Sequence, residues 1–240
     1  MSHRHPFTLR LVAISAVAVL VGACTSTDPA TKTVEKGTAS SSDSSAVPSA
    51  HEPVDIMQIP EGTRLDPGTY SVGLLFDDGP MRAIVNVPEG YFGEGPVIGS
   101  DEGDIAFWGA VTQVDTDPCL DGKHVGAGTT VHDLATELVA QRHMKTSRPV
   151  PVTIGGYHGV HLTLTAPADL DRCRNGNVTI LSAGGTWLQW DVPRATFHEW
   201  ILNVHGTRVV GGARIGPDAA NSAEMISMVE SATFTGVGHS

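Results

Sequence analysis

The stretch that decides the fold is Phe197-His198-Glu199-Trp200-Ile201-Leu202-Asn203-Val204-His205-Gly206-Thr207-Arg208-Val209-Val210-Gly211-Gly212-Ala213-Arg214. Phe197 to Val204 and Thr207 to Arg214 are apolar-rich runs on either side of His205-Gly206, and a hairpin turning at that dipeptide is the reading the pattern carries. Histidine tolerates an unusual φ better than most residues, which suits His205 to the turn.

Working outward, the same signal recurs. Gly155-Gly156 separates Pro151 to Ile154 from Val160 to Thr165, and Asp77-Asp78-Gly79-Pro80 separates Thr69 to Phe76 from Met81 to Val87. Ile105 to Val114 is a further extended run that puts Phe107 and Trp108 on opposite faces, and Thr186 to Val192 leads into the hairpin quoted above. Two segments have helical period instead. Val131, Leu134, Ala135, Leu138 and Val139 form one buried stripe with Thr129 or Thr130 as N-cap. Ala219, Ala223, Ile226 and Val229 form the second, widened by Met225 and Met228. Pro217 marks its boundary, and Asn221 with Glu224 resembles a capping box. Strands in runs, one helix between them and one closing the chain, predict an α+β fold: an antiparallel sheet with helices packed on it.

The N-terminus has a different texture. Arg4 and Arg10 precede an apolar run from Leu11 to Val21, and Gly22-Ala23 precede Cys24. That is the pattern of a secretory signal, and Val21-Gly22-Ala23-Cys24 resembles the lipobox of bacterial lipoproteins, where the cysteine is diacylglycerated. The run is short of the ~18–20 residues a spanning helix needs, whereas two or more acyl chains anchor stably. The expected organisation is a signal over 1–23, acylated Cys24 and a disordered Ser/Thr/Ala-rich linker over 24–53, and one domain over 54–240. The expected location is the extracytoplasmic face of a cell membrane, with that lipid as the link to the bilayer.

Charge narrows the partners. The chain holds 15 Lys and Arg against 26 Asp and Glu, and residues 1–23 contain two of the bases and none of the acids. Phosphate recognition draws its affinity from clustered Lys and Arg, so nucleic acid is excluded as a partner. Cys119 and Cys173 remain once Cys24 is set aside, and two cysteines in an exported domain most simply form a disulfide.

No spacing names a reaction. His158 and His161 fall on opposite faces of a strand and cannot share an ion, and His132 and His143 are too far apart on a helix. No H-E-x-x-H or G-x-S-x-G occurs. Asp101, Glu102 and Asp104 form one acidic group; Asp115, Asp117 and Asp121-Gly122 form another, only partly like a calcium loop. Trp108, Trp187, Trp190 and Trp200 all fall on predicted strands, and Trp187 and Trp190 face opposite ways, unlike an aromatic strip for carbohydrate. Gly126 and Gly128 weakly echo a phosphate-binding turn. Catalytic residues, metal ligands and cofactor are therefore expected to be none.

Ile84-Val85-Asn86-Val87-Pro88-Glu89-Gly90-Tyr91 resembles the opening of Mog1/PsbP-like domains, and Met225 to Phe234 resembles their closing helix and strand. The segments Val131 to Arg142, Val152 to Tyr157 and Trp200 to Val209 are similar to a group of uncharacterised actinobacterial exported lipoproteins. The resemblance implies an α/β/α sandwich and a binding or support role toward an unknown protein or small-molecule ligand. It carries over no site residue. The expected function is a non-catalytic binding or accessory module; the alternatives are a secreted hydrolase with an unrecognised triad and a calcium-dependent surface adhesin.

Overall fold

The structure, a computed structural model, describes residues 52–120 and 123–236. The expectations for Cys24, residues 1–23, most of the linker and Asp121-Gly122 lie outside the described residues. The chain opens with β1 (Val54–Asp55), a 3₁₀ turn at Ile56–Gln58, β2 (Thr63–Arg64), β3 (Gly68–Gly73) and β4 (Arg82–Val87). Next come β5 (Phe92–Glu94), β6 (Val97–Ser100), β7 (Gly103–Trp108), β8 (Val111–Asp115) and β9 (His124–Gly126). After α1 (Val131–Val139) follow β10 (Lys145–Thr146), β11 (Val150–Ile154) and β12 (Tyr157–Thr165). A second 3₁₀ turn at Arg174–Gly176 precedes β13 (Val178–Ala183), β14 (Thr186–Trp190), β15 (Thr196–Val204) and β16 (Thr207–Ile215). The last elements are α2 (Ser222–Glu230) and β17 (Thr233–Thr235).

The predicted hairpin is the centre of the molecule. β15 and β16 pair without interruption from Thr196↔Ile215 to Val204↔Thr207, with His205 at φ 49 and Gly206 at φ 84 in the turn. They sit inside a nine-stranded sheet ordered β10-β12-β15-β16-β7-β6-β5-β2, with β11 also on β12. Strand alternation divides its side chains between two cores. Trp200, Leu202, Val204, Val209 and Phe107 enter one, which is covered by the sheet β1-β3-β4-β17 and by Met225, Met228 and Val229 of α2. Phe197, Ile201, Val210 and Trp108 enter the other, covered by the sheet β14-β13-β8-β9 and by Leu134, Ala135 and Leu138 of α1.

This overturns the α+β expectation and, with it, the α/β/α sandwich that the Mog1/PsbP-like resemblance implied. Among the described residues 47% are strand and 13% helical, with two α-helices, so the fold is a sheet-dominated β fold built from several sheets. The reason is dimensional. A nine-residue helix is ~14 Å long, whereas the seven inter-strand spacings along the sheet span ~33 Å. Neither helix can cover a face of the central sheet, so a second sheet shares each outer layer with it. One segment makes that possible. Ile105 to Val114, read above as a single run, is broken at Gly109-Ala110, where Ala110 takes φ 46. β7 stays in the central sheet and β8 leaves for the outer one.

The helix ends also divide. Thr130 caps α1 as expected, its hydroxyl accepting from Asp133 N while the Asp133 carboxylate accepts from Thr130 N. Asn221 makes no side-chain cap at α2. The amides leading into α2 are held instead by Glu102, from the turn between β6 and β7, whose Oε2 accepts from Ala220 N at 2.8 Å and Asn221 N at 3.2 Å.

Candidate functional site

Cys119 and Cys173 form the expected disulfide. Backbone bonds run beside it: Arg174 N donates to Cys119 O at 2.7 Å and Thr179 N to Pro118 O at 2.9 Å. Together they pin the Arg174–Gly176 turn, with Asn175 in the left-handed region at φ 56, against the end of β8. A cavity of about 270 Å³ opens between this turn and the outer face of the β14-β13-β8-β9 sheet. Arg174, Asn175 and Asn177 form its wall, and Trp187, His124 and Asp115 its floor, with Thr179 and Gln189 between them.

Strand period explains the floor. Residues two apart on β14 point the same way, so Trp187 and Gln189 face the cavity while Leu188 and Trp190 pack against the core. Trp190 meets Phe197 edge-on and lies under the Arg214 guanidinium at 4.8 Å. The two tryptophans do face opposite ways, as their spacing predicts. Trp187 is half-buried, and its ring lies 4.1 Å from that of His124, tilted by 34°.

The acidic groups are used internally. Asp115 is 3% exposed; its Oδ1 accepts from Asp117 N at 3.0 Å, and its Oδ2 lies 3.9 Å from His124 Nδ1. Asp117 meets His143 Nδ1 at 2.7 Å and Arg142 Nη2 at 3.4 Å. His143 was expected on the first helix; it lies beyond α1 with φ 62. Asp104 pairs with Arg214 at 2.6 Å, and Glu102 holds the amides leading into α2. No group of three or more His, Cys, Asp or Glu able to hold a metal occurs among the described residues. At Gly128, the turn amides of Thr129 and Thr130 are filled by the Asp133 carboxylate, which these bonds hold below the usual carboxylate range.

The histidines separate as predicted. His158 Nδ1 lies 3.0 Å from Thr153 Oγ1, while His161 meets His198 on the other face. His205 meets the Tyr157 hydroxyl at 2.7 Å.

Sequence reasoning missed Arg174, Asn175, Asn177, Thr179, His124 and Gln189 as one site. A signal existed: the disulfide ties residue 173 to 119, which brings Asn175-Gly176-Asn177 to the neighbourhood of Asp115. Glu199 was missed as well. Burial pushes its carboxyl up to about 8, with Arg214 working the other way and Asp104 adding to the rise. Burial raises Asp104 too. One guanidinium faces two buried acids, and burial favours the protonated form of each.

No protein family, curated protein or solved structure matches this chain. Its class is therefore the one that fold and cavity define: a disulfide-stapled, sheet-dominated β domain bearing a polar cleft.

Proposed function

We propose that this chain is a membrane-tethered extracytoplasmic lipoprotein whose domain is a non-catalytic binding module, with the cleft beside the disulfide as its ligand site. The observation that carries the reading is the clamped wall. A disulfide and flanking backbone bonds hold Arg174 to Asn177 in place before any ligand arrives, and a preformed site avoids the ordering cost of binding. The tether is supported by the basic start, the apolar run and Cys24 at its end. No helix among the described residues is long and apolar enough to cross a membrane.

The experiment is native mass spectrometry of the full chain recovered from its own host's envelope. A retained mass that disappears on denaturation identifies the ligand. A bare acylated chain counts against a tightly held small molecule. In parallel, Cys24→Ala is expected to release the protein from membranes; a variant that stays membrane-bound removes the lipoprotein half of the proposal.

A further inference from the structure

We infer that the cleft takes a single sugar ring. This rests on the binding reading above and adds the chemical class of the ligand. A pyranose has two kinds of surface. Its C–H faces are weakly positive and pack on the negative face of an aromatic ring; its hydroxyls both donate and accept hydrogen bonds. The cleft supplies the counterpart of each. Trp187 is a half-buried indole held against His124, a stacking floor fixed in position. Around it stand Asn175, Asn177, Gln189 and Thr179, whose amides and hydroxyl each offer donor and acceptor.

Size and charge narrow the class further. About 270 Å³, just below the ~300 Å³ at which small-molecule pockets begin, suits a ligand of one ring. The ionic pair on the walls is Arg174, already engaged within the protein, and the buried carboxylate of Asp115. An anionic ligand would meet that carboxylate, and a cationic one the guanidinium, so a neutral polyhydroxylated ring fits best. Among the described residues lining the cleft Asp115 is the one carboxylate, whereas glycoside cleavage uses a pair. These side chains suit holding a sugar.

Saturation-transfer NMR on the full-length protein in a non-glycosidic detergent tests this, with free hexoses, N-acetylhexosamines and oligosaccharides blocked at the reducing end as probes. The expected result is transfer to the ring protons of at least one pyranose, with affinity reduced tenfold or more in Trp187→Ala and partly retained in Trp187→Phe. Both variants should keep the wild-type melting temperature within a few degrees, because the indole lies outside the two cores. Transfer to free sugars alone marks a receptor for free monosaccharide, and transfer to blocked chains as well marks recognition of a glycan end; either supports the inference. Sugar binding unchanged in Trp187→Ala overturns the location. A retained adduct of non-sugar mass that depends on Trp187 overturns the sugar class and leaves the binding reading standing. No transfer and no adduct overturn both.

Discussion

Nε2 of His161 lies 3.2 Å from Nδ1 of His198, and the two rings are within 13° of parallel with centroids 5.3 Å apart. Because a ring N–H lies in the ring plane, this is an edge-to-edge N–H···N bond between β12 and β15. Trp200, opposite His161 in the strand register, stacks against both rings. One imidazole must be neutral to accept. Burial lowers both pKa values, that of His198 to about 4 with the His161 charge adding to the effect, while Glu230 of α2 works the other way on His161.

A pH dependence follows. His198 has its folded pKa depressed below the ordinary ~6.5, so its contribution to stability is full above pH 6.5 and is lost as pH falls toward 4. His198→Asn keeps a polar side chain that does not titrate, so its melting temperature relative to wild type should rise as pH falls from 6.5 to 4. An NMR titration of the His198 ring with a midpoint near 6.5 would contradict the assignment.

Glu199 carries the opposite sign. Its folded pKa of about 8 lies above the unfolded value, so the native state holds the extra proton. Stability is greatest below about pH 4.5 and falls as pH rises through 8. Glu199→Gln should remove that decline, which runs from about pH 4.5 to about 8, and stabilise the protein at pH 9 by at least ~1 kcal/mol, measured by urea unfolding. Between pH 4.5 and 6.5 the two groups oppose each other and largely cancel in the wild type, so each single variant should show a slope there, of opposite sign, that the double variant lacks.

The Cys119–Cys173 bridge closes a separation of 54 residues, for which loop-closure entropy assigns about 4 kcal/mol. Cys173→Ser should lower unfolding free energy by that order. It should also loosen the cleft, with hydrogen exchange at residues 174–179 accelerating more than at β15 and β16.

Arg208, at the start of β16, donates from Nη1 to Ala127 O and Thr130 O and from Nη2 to Val111 O. It fastens the entry to α1 and the start of β8 to the central sheet. Arg208→Ala strands these carbonyls and should cost about 2–3 kcal/mol. Arg208→Lys has no planar fork and should recover less than half of the loss, read by thermal unfolding.

Local features were legible where one residue type decides them. The His205-Gly206 and Gly155-Gly156 turns, the α1 stripe at Leu134, Ala135 and Leu138 with Thr130, and the opposite facing of Trp187 and Trp190 all follow from period and turn chemistry, whereas Val139, expected in that stripe, is exposed at the end of α1. What was not legible depends on distant partners. Ala110 adopts a positive φ that alanine does not advertise, so the change of sheet between β7 and β8 left no mark. Glu102, not the local Asn221 and Glu224, holds the amides leading into α2, because α2 packs where the β6–β7 turn can reach it. β13 was not read as a strand at all, since its pairing with β8 joins segments far apart in sequence that the disulfide loop brings together. The cleft needed all three at once: the strand that changes sheet, the hidden strand and the closed loop.

The point of entry of the chain has a consequence for how the domain is displayed. β1 pairs in parallel with β3 at the edge of the β1-β3-β4-β17 layer, on the opposite face of the central sheet from the layer that bears the cleft. The described chain therefore starts on the side away from the cleft, so a tag or fusion joined just upstream of Val54 begins at the far face and leaves the mouth of the cleft uncrowded.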